Sequence, residues 1–123
     1  MNNNLKEITI VLIAYKSAIK IKRFVKNIPS SVKILIIDNS KDHNLKKIFK
    51  NKKNVKIYFK KNEGYGSSIN YASKIIKTEY FLIVQPDVIG IKKTSLLSFY
   101  KYAKILKDKF AVIGPHFKNA SKR

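Results

Sequence analysis

Residues 8–15 read ITIVLIAY, uncharged throughout and apolar or aromatic at every position but Thr9. A strand with one wet face alternates polar and apolar residues, whereas a continuous β-branched run requires cover on both faces. The run is far shorter than the roughly 20 residues of a membrane-spanning helix. The MNNNLKE before it is polar, so neither a signal peptide nor a membrane span is expected there.

Working outward from this strand, Ser17 can cap a helix in which Ala18, Ile21, Phe24, Val25 and Ile28 recur at three- and four-residue spacing, ended by Pro29. Val32–Asp38, VKILIID, repeats the strand signal, and Leu45, Ile48 and Phe49 form one side of a brief helix behind it. Val55–Phe59, VKIYF, reads as a third strand. Tyr65, Ile69, Ala72 and Ile76 share a helical face, and YFLIVQ from Tyr80 supplies strand four. Thr94 can cap a longer helix carrying Leu96, Leu97, Tyr100 and Ala103, and AVIGP (Ala111–Pro115) reads as a fifth strand before a frayed, basic end. Strands alternating with helices, with connections long enough for right-handed crossovers, predict an α/β fold: a Rossmann-like, mostly parallel sheet with helices on both faces. No linker or repeat divides residues 1–123, so one domain is expected, burying about 65% of its unfolded surface.

The chain carries 27 Lys and Arg against 7 Asp and Glu, a formal net charge of +20. Because 45% of residues are hydrophobic and 11% aromatic, that charge decorates a folded body and not a disordered basic tail. Cysteine is absent, which excludes disulfides and thiolate metal sites. Arg23 and Arg123 are the only arginines, and the lysines are spread along the chain with a denser stretch from Lys46 to Lys61. Dispersed lysines without a recognition motif disfavour a nucleic-acid-binding domain. They read mainly as solvated faces, with attraction to anionic nucleotides or lipid headgroups as a secondary effect.

In open α/β sheets ligands bind outside the carboxyl ends of the strands. There the sequence places Ala14-Tyr15-Lys16, Asp38-Asn39-Ser40, Asn62-Glu63-Gly64-Tyr65-Gly66 and Gln85-Pro86-Asp87. Asp38 suits an Asx turn, or an acceptor for a nucleobase or ribose donor. Asp87 suits a turn or helix cap after Pro86, or a ligand to a hard cation bridging phosphates. Gly64 and Gly66 either relax a loop opening a buried helix, or bare backbone amides to an anion. As a dinucleotide fingerprint the stretch is weak, since Ile69 replaces the third glycine and the motif follows strand three. His43 and His116 are isolated.

Taken in order, ITIVLIAYKS, ILIIDNS, KNEGYGSSINYA, YFLIVQPDV and FAVIGPHF resemble the amino-terminal half of family-two glycosyltransferases of the GT-A fold, especially rhamnosyltransferase-like members. The resemblance spans Ile8 to Phe117. It implies a domain for a nucleoside diphosphate sugar, in which Ala14 and Tyr15 line the nucleotide, Asp38 contacts the base, and Asn62 to Gly66 open the helix beside the donor. It further implies that Asp87 holds Mg²⁺ or Mn²⁺ on the diphosphate, with Gln85 where the family usually has Asp or Asn, so that the amide contributes no charge to the metal. The implied reaction is inverting hexosyl or rhamnosyl transfer to a hydroxyl acceptor, in cell-surface polysaccharide biosynthesis, at a cytoplasmic location compatible with peripheral contact at an anionic membrane. The acceptor half and the carboxylate base of the family are missing from the match, and neither Glu63 nor any other remaining acid takes that position. The alternative is therefore a non-catalytic nucleotide-binding or partner-binding module. A homo-oligomer or second chain completing the acceptor site would leave its mark as unusual apolar surface on an exposed flank.

Overall fold

The structure, a computed structural model, describes residues 3–110 and 112–114. A short 3-10 turn, Asn3–Glu7, leads into β1 (Ile8–Ala14), α1 (Ala18–Lys26), β2 (Lys33–Asp38), α2 (Asn44–Ile48), β3 (Val55–Phe59), α3 (Tyr65–Ile75), β4 (Tyr80–Val84) and α4 (Lys93–Leu106). The strands form one sheet in the order β3-β2-β1-β4, and every pair is parallel.

β1 sits inside the sheet, paired to β2 on one side and β4 on the other, and all seven of its residues are buried. Because strand side chains alternate, Ile8, Ile10, Leu12 and Ala14 join Ile34 and Ile36 in a core closed by α1, α2 and α4. Val11, Ile13, Leu35 and Ile37 face the other way, where Ala72 of α3 covers them. The unbroken apolar pattern of β1 and β2 is the signature of this two-sided burial. Leu5, in the polar-looking amino-terminal segment, is also buried in the larger core.

β4 departs from that pattern. Leu82 and Val84 point into the larger core, but Phe81 and Ile83, on the α3 side, are 42% and 39% exposed. α3 packs on β1 and β2 and leaves this strand uncovered on that face. Thr9 ties the start of the pair together: Thr78 Oγ1 donates to the Tyr80 carbonyl (2.9 Å) and lies 2.7 Å from Thr9 Oγ1.

Three expectations are corrected. Ser17 precedes α1, but its hydroxyl donates to the Tyr15 carbonyl at 2.9 Å and caps no α1 amide, because the left-handed turn at Lys16 (φ 51°) folds the chain back there. Thr94 lies inside the first turn of α4; Lys92 holds the extended cap position, and its N–H donates to Ser95 Oγ at 3.3 Å. Val112–Gly114 form no strand, since Val112 stands exposed without joining a ladder, while Ala111, Pro115, His116, Phe117 and residues 118–123 lie outside the described residues. Among the described residues no helix is long and apolar enough to cross a membrane.

The core assignment predicts a sharp contrast. Leu12→Ala, at the centre of β1, should cost about 2–5 kcal/mol in urea unfolding, whereas Ile19→Ala on the outer face of α1 should stay within about 0.5 kcal/mol.

Candidate functional site

β1, β2 and β3 end level, with Ala14 opposite Asp38 and Asp38 opposite Phe59. The chain steps outward from β1 through β2 to β3, then crosses to the other side of β1 for β4. The switch point, where successive connections diverge, therefore lies between the carboxyl ends of β1 and β4, and Ala14-Tyr15 and Gln85-Asp87 flank it.

Asp38 is buried, and three donors converge on it. Ser40 N–H and Ser40 Oγ donate to Oδ1 at 3.0 and 2.6 Å, and Asp42 N–H donates to Oδ2 at 2.6 Å. These are the bonds of an Asx-type turn. Their effect reaches the next loop, for Ser40 Oγ accepts the Lys16 N–H at 2.9 Å. Lys16 (φ 51°) and Lys41 (φ 53°) both hold left-handed backbone, disfavoured by roughly 1–2 kcal/mol for a residue with a side chain. The buried carboxylate thus fixes two strained loops beside each other, and neither strain relaxes without breaking its bonds.

The glycine stretch is drawn to the same edge. Ser68, buried on α3, donates to Asn39 Oδ1 at 3.0 Å, and Lys60 Nζ reaches Ser67 Oγ at 2.9 Å and Glu63 Oε1 at 3.3 Å. Gly64 is the residue before α3, at φ 100°, a conformation that demands glycine, and its N–H donates to Asn62 Oδ1 at 3.3 Å. Gly66 needs no such freedom. It is helical, and a Cβ there would meet nothing within 4 Å. The first-turn amides of α3 have no acceptors within the helix, so Tyr65, Gly66 and Ser67 present N–H groups on an open surface. Partial burial holds the neighbouring Tyr65 phenol above its ordinary value.

Across the switch point, a turn closes with Val88 N–H on the Gln85 carbonyl at 3.1 Å, burying Pro86 and leaving Gln85 and Asp87 exposed. Asp87 makes no hydrogen bond or ion pair among the described residues. No group of three His, Asp or Glu that could cage a metal occurs there either. A lone free carboxylate still fits Mg²⁺ or Mn²⁺ in the mode where phosphates and water supply the remaining ligands. Tyr15 is 55% exposed, with Lys16 Nζ 5.6 Å from its ring centroid.

Sequence reading named Ala14, Tyr15, Asp38, Asn62, Gly64, Gly66, Gln85 and Asp87, and all stand at this edge, in the strand ends, the loops after them or the first turn of α3. It missed the roles of Ser40, Ser68 and Lys60. Ser40 had a signal, since Asp-x-Ser leaving a strand allows the hydroxyl to bond back to the carboxylate. Ser68 and Lys60 act through contacts remote in sequence and gave none.

A cavity of about 370 Å³ lies elsewhere: it follows the edge of β4 and is lined by Tyr80, Leu82, Phe99, Tyr100, Ala103 and Phe110 among others. Apart from Tyr80, Tyr100 and Glu79, whose carboxylate is paired with Lys104, its lining is apolar, so the strand-end loops remain the better site.

A parallel sheet with helices on both faces and polar loops gathered at a switch point defines a Rossmann-like α/β layer. Among solved structures it is similar to S. aureus TarS, residues 1–349, with a TM-score of 0.65 and 20% identity, which places the fold in the GT-A class. That match covers 90% of this chain and 39% of the TarS chain. No curated protein matches in sequence. The pattern of glycosyl transferase family 2 matches residues 9–120, and the chain belongs to that family.

The two glycines give the site a stability test. Gly64→Ala should cost about 1–2 kcal/mol through its left-handed backbone, while Gly66→Ala should raise stability by up to about 1 kcal/mol, both read from thermal and urea unfolding.

Proposed function

We propose that the strand-end edge binds the nucleoside diphosphate of an activated sugar, and that inverting transfer of the sugar to a hydroxyl acceptor is the reaction this domain serves. The observation that carries the proposal is the bond chain Lys16–Ser40–Asp38 and Asn39–Ser68, which fixes the β1, β2 and α3 loops at one edge. Preorganised loops around an open surface lower the ordering cost of binding.

In this reading Tyr15 offers its exposed ring to the base, and Ala14 supplies the floor beneath it. Asp38, with both oxygens engaged in its own turn, acts on the base chiefly by fixing the backbone of Asn39 and Ser40. The amides of Gly66 and its neighbours face the donor's anionic part, aided by the positive end of α3. Asp87 would hold the divalent cation and Gln85 would offer a neutral amide oxygen beside it, the cation supplying charge neutralisation on the departing diphosphate when bound. With one charged ligand the metal would depend strongly on the phosphates for its affinity.

One observation favours a second reading, that of a binding module without chemistry of its own. Asp38 accepts three donors, Glu63 is paired with Lys60 and Asp42 Oδ1 accepts the Asn44 N–H, so Asp87 is the one carboxylate at this edge without a hydrogen bond or ion pair among the described residues. Deprotonating a hydroxyl acceptor requires a further base, contributed by other polypeptide or by a second copy.

Calorimetric titration with UDP and dTDP, with and without Mn²⁺, separates these possibilities. Binding should strengthen with Mn²⁺, and Asp87→Ala should remove that increment, at least about tenfold or 1.4 kcal/mol. Gly66→Ala should weaken nucleotide binding while leaving the fold intact. Absence of binding to either nucleotide would overturn the donor-site reading.

A further inference from the structure

The lysines within the helices are unevenly divided between the two sides of the sheet. α1, α2 and α4, all on one side of the sheet, carry nine Lys or Arg between them, while α3 on the other side carries one. None of the four helices contains Asp or Glu. On α1 the inward stripe is Ile21, Phe24 and Val25, and the outward stripe is Ile19, Lys22, Arg23 and Lys26. Ile19 is 85% exposed, an aliphatic side chain standing among cations. The loop Val88–Ile91 lies against Arg23, Phe24 and Asn27, Ile89 within it is 77% exposed, and Lys92 and Lys93 follow the loop.

We infer that this α1 side, extended by the Val88–Ile91 loop and by Lys46 and Lys47 of α2, is a docking surface for an anionic phospholipid bilayer. A solvated face explains the lysines but not two bare isoleucines beside them. A bilayer meets both: headgroup charge attracts the lysines, and the acyl boundary just beneath accepts short aliphatic side chains. Nucleic acid meets only the first. The outward stripe of α1 has no aromatic ring to stack on a base and one guanidinium to grip phosphates. The surface is independent of the donor-site reading, although Lys16 to Ala18 and Asp87 to Val88 join the two, so docking would bring the strand-end loops close to the membrane.

The test is co-sedimentation of the whole chain with phosphatidylcholine vesicles, with and without phosphatidylglycerol. Binding should require phosphatidylglycerol and fall with salt. Each cation near the surface strengthens partitioning roughly fivefold, so Lys22→Gln with Lys26→Gln should lower it on the order of twentyfold. Lys74→Gln with Lys77→Gln, the same charge change at the end of α3, should alter it by less than about threefold. Ile19→Ser with Ile89→Ser should leave the fold unchanged by circular dichroism and weaken binding to phosphatidylglycerol vesicles. Equal losses from the two lysine pairs, no effect of the isoleucine pair, or no vesicle binding would overturn the inference. So would tighter binding to duplex DNA than to vesicles with the same dependence on Lys22 and Lys26.

Discussion

Everything in this fold hangs on β1 having no exposed side. Its backbone is paired on both edges and its side chains are buried on both faces, so each neighbouring element is placed by what it must cover. The alternation of Ile10 and Leu12 with Val11 and Ile13 divides the helices between the two faces, and a shift of one residue would exchange the two cores. Parallel pairing then forces every connection to return across the sheet, which brings the loops after the strands to one end. The candidate site is a consequence of this arrangement before it is a consequence of any particular side chain.

Within that edge a single buried carboxylate sets the local geometry. A turn carboxylate on an exposed loop contributes modestly, but Asp38 accepts three short bonds out of water, where leaving any donor unmet costs about 1–3 kcal/mol. This is enough to offset the left-handed backbone at Lys16 and Lys41, and it explains how two lysines occupy positions where glycine or asparagine would be cheaper. Asp87 is treated in the opposite way. The turn after β4 buries Pro86 and presents the carboxylate unpaired among the described residues, a costless arrangement for an exposed acid.

The strands were legible because two-sided burial leaves an unmistakable mark: ITIVLIA and KILIID admit no polar residue on either face except Thr9 and the terminal residues. The site positions were legible because strand ends are where turn-forming and charged residues interrupt such runs. The helix caps were not, since Ser17 and Thr94 carry the right hydroxyls but the adjoining backbone decides where those hydroxyls point. Exposure of Phe81 and Ile83 was illegible for a different reason. Their residue types say buried, and only the position of α3, which stops short of β4, leaves them uncovered. The uneven division of the helix lysines likewise emerges only when the helices are assigned to faces.

The two outer strands of the sheet manage their open edges differently. β3 is VKIYF, with exposed Lys56 inside it and Lys52, Lys53, Lys60 and Lys61 around it, the charged blunting that discourages another strand from pairing. β4 is YFLIV, with no charge inside it and with two exposed apolar side chains; residues 78–91 form the longest stretch of the chain without Lys or Arg. An edge of this kind is prone to association in a nearly neutral protein. Here a net charge of +20 acts over the distance at which two copies approach, so repulsion of the whole body supplies the protection that β4 lacks locally. That protection weakens as salt shortens the range of the repulsion. The excess of lysine therefore opposes the close approach of two copies along the β4 edge.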